Sequence, residues 1–121
     1  MEITLPWPPA YLSGKQTASM DELEMRMAFF RKVCAWEAGL QGANTMRRED
    51  RLKVTLTFVP PNRKPHSLDD ALERMVCGLD GLAGVLKVDP VQWDVTARMG
   101  EGIGGFVRVQ IEQDTTEQCN P

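Results

Sequence analysis

The segment PHSLDDALERM, residues 65–75, places two adjacent carboxylates, Asp69 and Asp70, at the opening of a helix and a third, Glu73, one turn further on. Residues four apart share a helix flank, so Asp69 and Glu73 are like-charged neighbours that repel by about 0.2–0.5 kcal/mol. A divalent cation bridging them reverses the sign of that contact. Asp89, in LKVDPVQW, precedes a strand. If that strand lies beside the start of the helix, Asp89 meets Asp69 across a short gap. Oxygen donors with no cysteine or imidazole among them suit Mg2+ or Mn2+ rather than zinc. Such an ion binds a scissile phosphate, activates an attacking water and stabilises the leaving oxygen.

The same residues have plainer uses. Ser67 with Asp70 three positions later is a capping box, and Asp69 and Asp70 suit the positive end of the helix dipole. Asp70 points to solvent in this reading. Asp89 before Pro90 is an ordinary turn acid. His66, the single histidine, reads as a solvated loop residue, with acid–base work as the alternative. Arg63 and Lys64 either hold phosphate or are solvated, and the sequence leaves both open.

The elements around these residues make one domain. A chain of 121 residues can bury one core, and 42% apolar with 26% charged residues is ordinary for a globular protein. Three cysteines, Cys34, Cys77 and Cys119, without a C-x-x-C pair argue against a disulfide framework or zinc site. No apolar run approaches membrane-spanning length and the N-terminus has no signal pattern, so a cytoplasmic protein without membrane contact is expected. The net charge of −3 speaks mildly against a general nucleic-acid coat, but it allows basic groups clustered beside an acidic site.

A short strand over EITL ends in PWPP, and a loop follows that carries Lys15. Ser19 and Glu22 cap a helix over 20–40. That helix has two apolar stripes on nearly opposite sides. Met20, Leu23, Met27, Phe30 and Cys34 form one; Met25, Phe29, Val33, Trp36 and Leu40 form the other. The second stripe calls for a further partner, read as a second subunit, or else a loop or tail folded over it. RLKVTLTFVPP alternates as a half-buried strand, and NRKPH is a basic loop. The acidic helix runs from Leu68 to about Ala83, with Leu68, Leu72, Met75, Val76, Leu79 and Leu82 facing the core. VQWDVTARM and GFVRVQIEQ alternate again across GEGIGG, which reads as a hairpin, and residues 113–121 read as a frayed tail. The order β-α-β-α-β-β predicts a small α/β or α+β domain, with two helices on a mixed sheet.

ITLPWPP, the long helix, the proline-ended strand with its basic loop, SLDDALERMVCGLDGL and VDPVQWDV together resemble the RusA family of Holliday junction resolvases. The resemblance spans about residues 2–112, and LPWPP with the second-helix pattern is its most specific part. It implies a homodimer that binds a four-way DNA junction and cuts phosphodiester bonds symmetrically with Mg2+ or Mn2+. Carried across, the family's second metal aspartate falls on Asp69 and the asparagine after it on Asp70. The helix leucine and glycine fall on Leu79 and Gly81, and the loop aspartate falls on Asp89. DNA contacts are expected from Lys15, Arg63, Lys64, Arg74 and Lys87.

Two positions depart from the pattern. Ser67 stands where the family has its first aspartate, and Glu73 where it has a lysine. One acid is lost and one gained nearby, which suggests a rearranged site of Asp69, Glu73 and Asp89. These three are the expected metal ligands and catalytic residues, with Arg74 or Lys87 replacing the lysine. The alternatives keep the dimeric fold without cutting: a protein that binds branched DNA, or a phage inhibitor that binds another protein.

Overall fold

A computed structural model of the chain describes residues 1–9, 19–45 and 51–113. Lys15, Cys119 and the expected tail from 114 onward lie outside the described residues. The elements are β1 (Glu2–Pro6), α1 (Met20–Leu40), β2 (Leu52–Val59), α2 (Leu68–Leu86), β3 (Trp93–Met99) and β4 (Phe106–Gln113). They form a small α+β domain in which both helices lie on one face of a four-stranded mixed sheet ordered β1-β4-β2-β3.

β2 is the strand on which the sheet is built. Its alternating Leu52, Val54, Leu56 and Phe58 are all buried. On one side they pair in antiparallel register with Ile111, Val109 and Val107 of β4, opposite Val54, Leu56 and Phe58. On the other side β3 runs parallel to β2, with Trp93 opposite Leu52 and Ala97 opposite Leu56. β1 adds Ile3 and Leu5 to the same apolar face. The reverse face is polar, as period-two alternation requires. It carries an Arg108–Glu2 ion pair at 2.9 Å and an Arg98 Nε–H donated to Thr57 Oγ1 at 3.1 Å.

The expected β3–β4 hairpin does not form. The two strands flank β2 on opposite sides, so the glycine-rich connection passes over the end of β2. There the Gly100 N–H donates to the Phe58 carbonyl at 2.8 Å, and the Gly104 N–H to that of Pro60 at 2.8 Å. Gly102 and Gly105 take positive φ, +85° and +75°, to make the passage. Alternation identifies a strand but not its neighbour. β2, whose whole inner face is buried, takes the central place and accepts a partner on each edge.

The outer edge of β1 is closed by a side chain. Gln41, the C-cap of α1, takes the Thr4 N–H on its Oε1 at 2.6 Å and donates Nε2 to the Thr4 carbonyl at 2.6 Å.

Both helices begin as expected, with Ser19 Oγ accepting the Glu22 N–H at 3.1 Å and Ser67 Oγ accepting that of Asp70 at 3.3 Å. α2 runs to Leu86, past the expected end, and stops at Lys87, whose φ of 60° is left-handed. Its rotation also differs from the expected one. Val76 is exposed, whereas Ala71, Arg74, Met75, Cys77, Gly78, Gly81 and Leu82 are buried. The reason is a close helix crossing. A Cβ on Gly81 would collide with the Arg31 carbonyl oxygen of α1, and one on Gly78 would lie 2.8 Å from both Cys34 Sγ and Phe30 Cε2. Small residues face the neighbour because only they let the backbones approach, and large apolar residues are displaced to the flanks.

On α1 the buried residues are Phe30, Cys34 and Ala38, while Met25, Phe29, Trp36 and Leu40 of the second stripe stand exposed, as does Met20. Cys34 and Cys77 are free and buried, and burial foremost pushes the Cys34 thiol up to about 12. No helix among the described residues is long and apolar enough to cross a membrane.

Adding one methyl group at the crossing is expected to overpack it. Gly81→Ala should lower the unfolding free energy by about 3 kcal/mol, read from urea denaturation. Gly84→Ala, where the new Cβ meets nothing within 4 Å, should be neutral or stabilising.

Candidate functional site

Of the candidate residues, Arg63, Lys64, Asp69, Glu73 and Arg74 gather where β1 and β2 end and α2 begins. Pro6, Pro8 and Pro9 stop β1 and hold Trp7 between them. Trp7 meets Phe58 of β2 edge-to-face, with centroids 6.0 Å apart, and His66 of the basic loop at 5.3 Å. The Arg74 guanidinium lies 6.0 Å from the centre of the same indole ring. LPWPP and PHSLDDALER, distant in sequence, therefore form one cluster.

The basic loop is ordered from within by Asn62. Its Oδ1 accepts the Lys64 N–H at 3.0 Å and lies 2.9 Å from His66 Nε2. An acceptor at that distance makes Nε2 the protonated ring nitrogen. His66 is half-buried against Trp7, so its place is structural rather than that of a freely solvated loop residue. Arg63 and Lys64 remain exposed. With Pro60, Asn62, Gly102 and Ile103 they line an open groove of about 520 Å³, where the glycine-rich connection comes alongside.

The acids sort differently from the sequence expectation. Asp70, expected to face solvent, is partly buried and pairs with Arg74, Nε to Oδ2 at 3.2 Å. Arg74 Nε is sequestered from solvent without an aligned hydrogen bond, so the contact is an ion pair by distance and not a directed bond. Arg74, expected as a substitute for the missing lysine, is 7% exposed and committed to Asp70 and Trp7. The close crossing with α1 turns this flank of α2 inward. It leaves Asp69 and Glu73 exposed one turn apart, as their spacing requires.

Asp89 lies at the other end of the molecule. It follows α2 and caps the turn before β3, accepting the Val91 N–H on Oδ1 at 3.0 Å. β3 begins beside the start of β2, not beside the start of α2. Roughly 25 Å of helix therefore separates Asp69 from Asp89, and the expected short gap does not exist within one chain. Lys87, at the end of α2, stays with Asp89 and away from Asp69. Among the described residues, no three Asp, Glu, His or Cys side chains converge to hold a metal ion. One chain thus offers the carboxylate pair Asp69 and Glu73, which does not make a full three-acid site. Lys15 lies outside the described residues.

No protein-family model matches the chain, and no curated protein does. Among solved structures it is similar to the periplasmic domain of Helicobacter pylori MotB, at 14% identity, over 95% of this chain and 83% of that one. The TM-score is 0.39, too low to carry an argument.

Sequence reasoning missed Trp7 and Asn62 as organisers of the cluster. The signal for Trp7 was present, since an aromatic residue set among prolines cannot continue a strand and must pack elsewhere. Arg74→Ala removes the partner of Asp70 and the cation over Trp7 together, and should cost about 3 kcal/mol in unfolding free energy. Glu73→Ala, on the exposed flank, should change stability by less than about 0.5 kcal/mol. Parallel urea titrations of the two variants check the contrast.

Proposed function

We propose that the protein is a RusA-like, metal-dependent endonuclease acting as a homodimer on four-way or related branched DNA in the cytoplasm of a bacterial or phage-infected cell. The observation that carries the reading is the meeting of Trp7 with His66 and Arg74. The two most specific parts of the sequence resemblance pack on each other and border the exposed Asp69–Glu73 pair. Arg63 and Lys64, in the loop that leads into α2, offer a cationic groove for the phosphate backbone.

The metal set draws on two chains. Asp69 and Glu73 sit at one end of α2 and Asp89 follows the other, so a site using all three takes Asp89 from a second subunit. A bound Mg2+ or Mn2+ would supply charge stabilisation at the scissile phosphate and a more acidic water. The protein's own part is to present the carboxylates and to align the backbone along Arg63 and Lys64. Lys87, beside Asp89, would arrive in the same site from the second chain and stand in for the family's lysine.

A second reading has its own observation. Ser67 is engaged as the N-cap of α2, and no three-acid cluster forms within the described residues of one chain. A protein that binds branched DNA without cutting it, or a phage inhibitor of another protein, fits those two facts.

The readings separate on a synthetic four-way junction with Mg2+ or Mn2+. Paired symmetric nicks, lost in Asp89→Asn and reduced at least about tenfold in Glu73→Ala, are expected. Ser67→Asp retains a capping oxygen and restores a carboxylate, and should raise the cutting rate. A junction that is retarded but uncut by the wild type and by Ser67→Asp would establish the binding protein instead.

A further inference from the structure

We infer that the exposed face of α1 pairs with the same face of a second copy, antiparallel, about a two-fold axis near Lys32 and Val33. The inference deepens the dimeric reading above, although its geometry stands on α1 alone.

Four large apolar side chains on this helix are turned away from the core: Met25 at 73% exposure, Phe29 at 63%, Trp36 at 68% and Leu40 at 67%. At 100° per residue they fall within an arc of about 60°, so they form one stripe, with half-buried Val33 at its margin. Together they present on the order of 500 Å² of apolar surface, as large as the biggest patch on a typical monomer. Covering it on both copies removes roughly 1,000 Å² of apolar surface from water, about the least that a biological interface needs.

The order of the residues selects the occupant. Met25 and Leu40 are equally far from the midpoint between Lys32 and Val33, and so are Phe29 and Trp36. A two-fold axis at that midpoint therefore sets Phe29 against Trp36 of the second copy and Met25 against its Leu40. An isologous interface demands this reciprocity, in which one residue meets a second and the second meets the first. A parallel pairing would instead stack each residue on its own mate, leaving the two aromatics apart.

Charges on one flank agree with the antiparallel choice. Arg26 comes within about 3 Å, measured along the axis, of the level of Glu37 in the second copy, and the contact occurs twice. Arg26 already lies 3.8 Å from Glu22 on the same exposed surface. On the other flank Lys32 faces its own mate, and both chains are long enough to diverge into solvent.

The test uses the full chain with Cys119→Ser, in which Cys34 and Cys77 remain buried. Light scattering should give a dimer at tens of micromolar. Trp36→Glu should weaken it by roughly 30-fold or more while leaving the circular dichroism spectrum of the fold unchanged. Phe29→Cys and Trp36→Cys, mixed and oxidised, should form a covalent dimer that neither variant forms alone. A monomeric parent protein, a dimer indifferent to Trp36→Glu, or a covalent dimer from Phe29→Cys alone would each overturn the inference. Failure here with junction nicking intact in the parent removes this interface and leaves the nuclease reading. The mixed cross-link without any junction binding does the reverse.

Discussion

The close passage of α2 across α1 decides how the rest of the surface is presented. Gly81 lies against the Arg31 carbonyl and Gly78 against Phe30 and Cys34, leaving no room for a side chain at either position. With those backbones in contact, the rotation of each helix about its axis is settled. On α2 that rotation turns Asp70 and Arg74 inward and Asp69 and Glu73 outward. On α1 it buries Phe30, Cys34 and Ala38 and leaves the second apolar stripe in solvent. A crossing made of larger residues would hold the helices further apart and free both rotations.

The elements themselves were legible. Ser19 and Ser67 announced both helix starts, prolines announced the ends of β1 and β2, and alternation found the strands. Two features were not legible, for related reasons. The pairing of β3 with β2 in place of β4 is a choice between partners that alternation does not encode. The rotation of α2 was misread because a reading by large apolar residues assigns Val76 to the core, while close contact rewards glycine and alanine. That misreading carried into the acids: it placed Asp70 outside, where Arg74 now holds it, and it took no account of Trp7.

The separation of Asp69 from Asp89 is a matter of topology. A β2-α2-β3 crossover into a parallel strand must return the chain to the starting end of the sheet. Whatever precedes β3 is therefore remote from whatever opens α2. No rotation of side chains closes that distance. Chemistry that needs both residues together needs a second molecule.

The two hydrogen bonds from Gln41 to Thr4 bear on a different question, that of which surface is open to company. A bare edge strand is an invitation to any extended peptide, including the same strand of another copy. Here a single amide side chain imitates the missing neighbour, offering one donor and one acceptor at the spacing a strand would. β1 is thereby withdrawn from sheet extension at its middle residue. The chain can carry an exposed, apolar helical stripe beside that edge without also offering a continuous ribbon for polymerisation.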